Sequence, residues 1–147
     1  MIRPARPAEA QALCALVRAA YAHYLPRLGS EPGPMRDDYG ARIAAGQAWL
    51  LEQEGALLGA VVLEAAADAL WLDNVAVAPA ARGRGLGRRL IVFAEEQARA
   101  RGFARLRLYT HEKMTENLAL YARLGFRETH RGVQSGFPRV FMEKPLA

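Results

Sequence analysis

The sequence predicts a mixed α+β fold in which helices and strands alternate along the chain around one core. Some segments repeat apolar residues with the period of a helix, while others alternate apolar and polar residues as strands do. The chain has 147 residues, 52% of them hydrophobic, which is enough for one domain. The predicted order is β-α-α-β-β-β-α-β-α-β-β, so parallel pairing is expected only where a helix separates two strands.

Periodicity and breaker residues place the elements of the N-terminal half. A loop rich in Gly and Pro separates two helices, and a turn through Gly55 joins two strands into a hairpin. The predicted elements are a strand near Ile2, helices over residues 8–24 and 34–46 around a loop at residues 27–35, and strands over residues 48–52 and 56–64. The apolar face of the first helix consists of Ala12, Leu13, Leu16, Val17, Ala20 and Tyr21.

The C-terminal half repeats a strand-helix unit and ends in a strand pair. Gly102 is the predicted stop of the longest helix, whose apolar face includes Leu86, Leu90 and Ala94. The predicted elements are strands over residues 70–77 and 106–110, helices over residues 86–101 and 115–124, and final strands over residues 126–133 and 139–143.

Composition excludes several classes of protein. No run of about 18 apolar residues is present, and the N-terminus MIRPARPAEA lacks the apolar segment of a signal peptide. We therefore expect a cytoplasmic protein with no membrane partner. Cys14 is the only cysteine, so no internal disulfide is expected, and its apolar surroundings favour a small buried hydrophobe. No metal-ligand spacing occurs, so no metal is expected.

The net charge of +5 favours an anionic partner. Because the arginines are spread along the chain with no block of like charges, a solvated surface is favoured over a nucleic-acid footprint. A nucleic-acid-binding domain is the alternative and would bind oligonucleotides with a steep salt dependence. The sequence shows no interleaved aromatic residues for base stacking, so we expect no nucleic-acid partner.

The stretch VAVAPAARGRGLGRRLI, residues 75–91, places three glycines at the junction of a predicted strand and a predicted helix. The first amides of a helix and its dipole bind anions, above all phosphates. Glycine allows a ligand to approach the main chain, and the arginines add positive charge. The segment predicts a site for a phosphorylated ligand, with a tight turn and solvated arginines as the alternative. It is neither a P-loop nor the dinucleotide fingerprint GxGxxG.

Two motifs resemble the GNAT superfamily of acetyl-CoA-dependent N-acetyltransferases. Residues 82–87, RGRGLG, preceded by VAVAP, are similar to its acetyl-CoA-binding motif R/Q-x-x-G-x-G/A. Residues 116–126, ENLALYARLGF, resemble its N-x-x-A-x-x-L-Y-x-x-x-GF segment, although the Leu and Ala stand in slightly different registers. The element order also follows that of the family, so the resemblance covers nearly the whole chain.

The resemblance implies one N-acetyltransferase domain over residues 1–147. Its fold would be a central mixed, mostly antiparallel sheet of about seven strands, flanked by about four helices, with a splayed parallel strand pair that binds coenzyme A. The strand before the glycines would pair with the pantetheine arm, and the loop and first helical turn would bind the pyrophosphate. The implied cofactor-binding residues are Val75, Ala76, Val77, Arg82, Gly83, Arg84, Gly85, Leu86, Gly87, Arg88 and Asn117.

The implied reaction transfers the acetyl group of acetyl-CoA, the co-substrate, to a primary amine by direct attack in a ternary complex. The amine must lose a proton before it attacks, and the thiolate is best protonated as it leaves. By resemblance, Tyr121 is the general acid on the sulfur. Asn117, four residues earlier on the same helix face, contacts the cofactor. Tyr121 could instead be a core tyrosine that packs under Phe126.

Several groups are candidates for the general base. Many similar proteins place an acidic residue on the strand before the glycines, often acting through water. Asp73 occupies that strand here, on one face with Val75 and Val77. It could equally be a surface carboxylate or pair with a nearby arginine. His111, Glu112 or water are the other candidates.

The acceptor is a small-molecule or peptide amine that the sequence does not name. An alternative function is a non-catalytic module of the same fold that senses acyl-CoA, and the presence of both Asn117 and Tyr121 argues against it. Homodimers are common among similar proteins. The candidate residues for lining the acceptor site are Tyr21, Tyr24, Met35, Asp38, Tyr39 and Phe137.

Overall fold

The computed structural model describes residues 1–146 of the chain. The strands are β1 (Ile2–Pro4), β2 (Ala48–Gln53), β3 (Ala56–Ala65), β4 (Leu70–Val77), β5 (Arg105–His111), β6 (Arg127–Gln134) and β7 (Phe137–Pro145). The α-helices are α1 (Ala10–Tyr21), α2 (Leu25–Leu28), α3 (Tyr39–Ala44), α4 (Leu86–Ala100) and α5 (Thr115–Arg123). Short 3₁₀ turns lie at Pro7–Glu9, Ala22–Tyr24, Gly33–Arg36 and Pro79–Ala81.

The strands form one seven-stranded sheet in the order β1-β2-β3-β4-β5-β7-β6. The β4–β5 pair is parallel, and its ladder joins Leu70 to Leu106 and Trp71 to Arg107. The β1–β2, β2–β3, β5–β7 and β6–β7 pairs are antiparallel. The predicted mixed, mostly antiparallel sheet is therefore confirmed, and its parallel pair lies where α4 connects two strands, as a crossover requires.

One compact unit consists of Met1–Leu63 and Asp73–Phe93. Its fully buried side chains include Leu13 of α1, Leu50 of β2 and Leu90 of α4. Each of these residues lies at an apolar position of the expected helix or strand period, so burial of that face stabilises the element.

Gly59 of β3 lies where β4 and α4 both come close to the strand. A Cβ atom at position 59 would lie 3.0 Å from Leu90 Cδ1 and 3.1 Å from the carbonyl oxygen of Ala76. Both distances are shorter than ordinary packing contacts, so a larger residue would have to displace its neighbours. The absence of a side chain at this position therefore sets how closely β3, β4 and α4 pack.

The predicted helix over residues 34–46 is wrong in part. Gly33–Arg36 form a 3₁₀ turn, and Asp37 is extended, with φ −73° and ψ 154°. The carboxylate of Asp38 accepts a hydrogen bond from the amide of Ala41 at 3.1 Å and caps α3. The aspartates therefore start a new, shorter helix, because their side chains bind main-chain amides better at a cap than inside a helix.

The first helix follows its prediction except at its ends and at two residues. The α-helical part is Ala10–Tyr21, with 3₁₀ turns before and after it. Ala12 is exposed, and Cys14 is half-buried where a buried residue was expected. Both residues lie at the margin of the buried stripe, where a small side chain packs without being covered. The rest of the predicted apolar face is buried, namely Leu13, Leu16, Val17, Ala20 and Tyr21.

The other compact unit consists of Glu64–Leu72 and the chain from Ala94 onward. Along β5, buried and half-buried side chains alternate up to its last two residues, and Leu106 and Leu108 are buried. All eight residues of β6 are exposed. Because β6 stands at the end of the strand order, it is an edge strand with few apolar contacts of its own.

Candidate active site

The two faces of β4 have different surroundings. Buried and half-buried side chains alternate along the whole strand, as a strand with two distinct faces requires. The buried face includes Asn74 and Ala76. The half-buried face consists of Trp71, Asp73, Val75 and Val77, as the sequence predicts.

The chain passes from β4 to α4 through a 3₁₀ turn and two glycines with positive φ. The amide of Ala78 donates to the carbonyl of Leu58 at 2.8 Å before the turn at Pro79–Ala81. Gly83 and Gly85 then have φ values of +82° and +73°. No atom lies within 4 Å of where their Cβ atoms would be. Backbone conformation, and not lack of space, therefore requires glycine at both positions.

The first turn of α4 has amides that lie outside the helical ladder. The first bond of that ladder runs from the amide of Arg89 to the carbonyl of Gly85 at 3.2 Å, so the amides of residues 86–88 precede it. Leu86 is buried and anchors the start of the helix. Arg84, Arg88 and Arg89 around this turn are exposed, as is Arg82 before it. We call residues 78–89 the glycine corner; its amides, helix dipole and arginines together suit an anion.

The side chain of Arg82 connects the glycine corner to α1. Its Nη2 donates to the carbonyl of Ala20 at 2.7 Å and lies 3.1 Å from Nδ1 of His23. This guanidinium therefore satisfies a carbonyl at the end of α1, where helical carbonyls lack partners. The side chain of Arg82 thus anchors the glycine corner to α1, while the backbone of Arg82 belongs to the corner itself.

The carboxylate of Asp73 is bound by an arginine. Nη1 of Arg42 donates to Oδ2 of Asp73 at 3.1 Å, and the same guanidinium donates to Asp37 at 2.9 Å and to Gln47 at 3.0 Å. The Asp73 side chain is 13% exposed. The structure therefore contains the ion pair between Asp73 and an arginine that was the alternative to a role as base. Because the guanidinium competes with a proton for the carboxylate, the role of Asp73 as base stays a prediction.

Asn74 is a buried polar residue that sequence reasoning missed. Its Nδ2 donates to the hydroxyl of Tyr39 at 2.8 Å, and its Oδ1 accepts from the hydroxyl of Tyr21 at 3.1 Å. The Tyr39 hydroxyl in turn donates to the carbonyl of Pro34. Burial, with the charge of Asp37 as a smaller cause, raises the pKa of Tyr39, so its hydroxyl stays neutral. An asparagine on the buried face of an apolar strand is the signal that could have indicated this network.

Asn117 and Tyr121 lie four residues apart on α5, as predicted. Asn117 is half-buried, and its Nδ2 lies 3.8 Å from the sulfur of Met114. Tyr121 is 8% exposed, and its ring packs edge-on against Phe126 with centroids 5.6 Å apart. The expected packing of Tyr121 with Phe126 is therefore present. This contact fixes the ring and leaves the acid role of the hydroxyl a prediction.

His111 ends β5 and shapes the junction with α5. The amide of Lys113 donates to Nδ1 of His111 at 3.0 Å, so the proton of the neutral ring is on Nε2. The side chain is buried, and its ring meets Phe137 edge-on at 5.9 Å. Burial, followed by the charge of Lys113, lowers the pKa of His111. At neutral pH the ring is therefore an uncharged hydrogen-bond donor, which suits the base role poorly.

Comparison with known proteins gives the family. The profile of the acetyltransferase (GNAT) family matches residues 11–126, which is most of the chain. The chain belongs to the GNAT acetyltransferase family. Its fold also matches the crystal structure of the PaiA N-acetyltransferase from Thermoplasma acidophilum in complex with coenzyme A. The TM-score is 0.83 at 19% identity, over 99% of this chain and 98% of that one.

Two curated proteins show sequence similarity to this GNAT chain. The uncharacterized N-acetyltransferase YjgM of Escherichia coli (strain K12) is 39% identical over 82 residues, which are 53% of this chain and 49% of that protein. The IAA acetyltransferase of Azospirillum brasilense is 35% identical over 92 residues, which are 60% of this chain and 59% of that protein. The matches therefore span about half the length of these relatives.

The six residues predicted to line the acceptor site of this GNAT chain differ in burial and in their contacts. Four of the six are buried, Asp38 caps α3, and Phe137 is half-buried beside His111. Asp38 is exposed as well as capping, and a role of the six residues in acceptor binding stays a prediction. The four buried residues are Tyr21, Tyr24, Met35 and Tyr39.

The remaining candidate for the general base, Glu112, is exposed, with its Oε2 3.9 Å from Nη1 of Arg131.

Among residues 1–146, no group of three or more His, Cys, Asp or Glu side chains is placed to hold a metal ion. In the same part of the chain, none of the helices combines the length and apolar character that a membrane crossing requires.

Proposed function

We propose that this protein is an N-acetyltransferase, with residues 1–147 as one domain, that transfers the acetyl group of acetyl-CoA to a primary amine. The transfer would be direct, within a ternary complex. The glycine corner carries the proposal because it presents helix-start amides, positive-φ glycines and exposed arginines together. GNAT membership and the coenzyme A in the Thermoplasma relative support the choice of ligand.

The glycine corner has the groups that a pyrophosphate requires. The amides of residues 86–88 would donate to it, and Arg84 and Arg88 would add charge-assisted contacts. The open space at the Cβ positions of Gly83 and Gly85 leaves room for a close approach. Arg82 would contribute through its backbone, because its side chain is bound to α1.

The pantetheine arm would pair with the backbone of Val75, Ala76 and Val77 in β4. The ladder from β4 to β5 uses Leu70 and Trp71, so the proposed contacts concern a later part of the same strand. An added strand of this kind gains main-chain hydrogen bonds without needing particular side chains. Asn117 would supply a side-chain hydrogen bond to the cofactor.

Tyr121 is our proposed general acid, which gives its proton to the coenzyme sulfur as the thiolate leaves. The packing against Phe126 supports this role by holding the phenol in one orientation. A positioned proton donor typically contributes a factor of about 10² to 10⁴ in rate.

Asp73 remains our proposed base, acting through a water molecule. Its half-buried position on the face with Val75 supports this choice. His111 is less suitable because Nδ1 already accepts the Lys113 amide and Nε2 carries the proton. A relay through water would let Asp73 keep its contact with Arg42 while it receives the proton.

Calorimetric titration with coenzyme A tests the binding, and thiol release from acetyl-CoA with a panel of amines tests the reaction. We expect one site per chain with a Kd on the order of 1 μM to 1 mM, the usual range for enzyme substrates. We also expect turnover with at least one amine. Absence of coenzyme A binding would refute the proposal. Binding without turnover would favour the acyl-CoA-sensing alternative.

A further inference from the structure

One face of strands β5 and β7 carries a row of aromatic and cationic side chains. In the antiparallel register, Tyr109 stands opposite Phe141 and His111 stands opposite Arg139. The ring centroids of Trp71 and Tyr109 are 6.3 Å apart, and those of Tyr109 and Phe141 are 5.7 Å apart. Apart from His111, these residues are half-buried, so the row remains partly open to ligands.

Arg139 is packed against aromatic rings without a counterion. Its Cζ lies 4.2 Å from the ring centroid of Tyr109 and 5.4 Å from that of Phe137. Its Nε is buried and has no hydrogen-bond partner. Within residues 1–146, no carboxylate pairs with this guanidinium, and its terminal nitrogens donate to no protein atom.

Arg107 on the same face is stacked like Arg139 but also has carboxylate counterions. Its Cζ lies 4.8 Å from the ring centroid of Trp71, so it is stacked in the same manner. It also has carboxylate oxygens of Asp68 at 3.7 Å and of Glu143 at 3.9 Å. Arg107 therefore combines a stacking contact with counterions, whereas Arg139 has stacking contacts and no counterion among the residues that the structure describes.

The surroundings of Arg139 favour an anionic ligand. Only Nε of Arg139 is buried without a partner, so the terminal nitrogens are the donors that a ligand can reach, and a bound anion would give them acceptors. The stacked rings hold the guanidinium flat, and its donors match the two oxygens of a carboxylate. The neighbouring His111 is a neutral donor and brings no negative charge. Glu112, which follows it, is exposed and lies beside Arg131.

We propose that Arg139 binds the carboxylate of the acceptor, so that the acceptor is an amino carboxylic acid such as a free amino acid. The inference rests on the proposed function, because it names the acceptor class of that reaction. Arg139 is a substrate-binding residue in this scheme. The amine to be acetylated and the carboxylate bound by Arg139 belong to one molecule.

Binding of reaction products tests the inference without requiring turnover. N-acetyl derivatives of the standard amino acids are titrated into the protein saturated with coenzyme A, each beside its C-terminal amide. We expect at least one N-acetyl amino acid to bind roughly 10-fold or more tightly than its amide, since a hydrogen bond to a charged group contributes on this scale. Arg139→Gln should abolish that ratio while the affinity for the amide changes little. A purely structural defect would weaken both ligands.

The control variant is Arg107→Gln, which removes a stacked arginine from the same face and should preserve the ratio. Arg139→Lys, which keeps the charge but loses the planar fork, should restore part of it. The ratio of affinities for coenzyme A and dephospho-coenzyme A should be the same in Arg139→Gln and wild type. A change would assign Arg139 to a cofactor phosphate and overturn the inference.

The acceptor inference also fails if no acid is preferred over its amide, or if the preference survives in Arg139→Gln. Failure of the proposed function is a separate result, because it would show as absence of coenzyme A binding in the first titration.

Discussion

Two of the places where the chain passes from a strand into a helix have different chemistry. At the junction of β5 and α5, the amide of Lys113 is bound by the His111 ring, and the amide of Met114 by the His111 carbonyl, both at 3.0 Å. At the glycine corner, the helix-start amides of residues 86–88 lie outside the helical ladder. His111 therefore binds the two amides that precede the first turn of α5, whereas the amides within the first turn of α4 are suited to a ligand.

Charge separates the same two junctions. The first turn of α5 contains Glu116, whereas the first turn of α4 contains no acidic residue and includes Arg88. Negative charge stabilises the N-terminus of a helix and positive charge destabilises it. The start of α4 is therefore electrostatically unfavourable without an anion. The two junctions therefore differ in local charge, and the positive first turn of α4 is the one suited to an anion.

The largest expected effect is the loss of coenzyme A binding in Gly85→Glu. The new carboxylate would occupy the proposed anion site and repel phosphates, so we expect affinity to fall by about 100-fold or more. Gly55→Glu is a matched control, because Gly55 has φ +79° and open space at its Cβ position and lies outside residues 78–89. Calorimetry on both variants separates an effect at the glycine corner from the general effect of a glutamate at a positive φ. Wild-type affinity in Gly85→Glu would contradict the phosphate assignment.

Tyr121→Phe tests whether α5 acts in proton transfer instead of phosphate binding. We expect kcat to fall by about 10²-fold or more, because the leaving thiolate loses its acid. The Kd for coenzyme A should stay within about twofold, since the phenyl ring still packs on Phe126. Tyr24→Phe removes a hydroxyl from another buried tyrosine and controls for stability. Unchanged turnover in Tyr121→Phe would exclude the acid role.

Acid should weaken the α5 junction through His111. The pKa of His111 is lowered from 6.5 in the folded protein, so the unfolded state binds more protons just below that pH. Stability is therefore fully present above pH 6.5 and falls as pH decreases below it. Urea unfolding at pH 7 and pH 5 should show a smaller loss in His111→Gln, which keeps an acceptor but does not titrate. Equal losses in the two proteins would remove His111 as the cause.

The smallest expected effects have opposite signs at the two helix starts. Glu116→Gln should destabilise the ligand-free protein, because α5 loses a favourable charge. Arg88→Gln should stabilise it, because α4 loses an unfavourable one. Each change is expected to be about 0.3–1 kcal/mol by urea unfolding at low salt, and smaller at high salt. Coenzyme A affinity should fall in Arg88→Gln alone; the same sign in both variants would contradict the electrostatic difference between the junctions.

Elements with a strong period were predictable from sequence, and those decided by side-chain caps were not. The bounds of β4, Leu70–Val77, are as predicted, and α4 ends one residue before its predicted end. Both elements have a clear strand or helix period and clear glycine or proline limits. The helix predicted over residues 34–46 failed because Asp38 binds the amide of Ala41 and starts α3 late. Its apolar spacing carries no information about that choice.

The glycine corner was predictable because its chemistry is local: positive φ and helix-start amides follow from neighbouring residues. Ion pairs and buried polar contacts were not, because their partners are distant in sequence. Arg42 and Asp73 are 31 residues apart, and Arg82 is 62 residues from Ala20. The lack of a counterion for Arg139 among the described residues could not be predicted from sequence either, since it depends on which carboxylates the fold places around every arginine.

Gly59 has a practical consequence for protein engineering. A side chain there would press on the main chain of Ala76, in the proposed pantetheine strand, and on Leu90, in the helix that begins at the glycine corner. One substitution would therefore disturb both parts of the proposed cofactor site at once. Libraries that seek new acceptors should therefore keep position 59 fixed and vary the residues around Arg139.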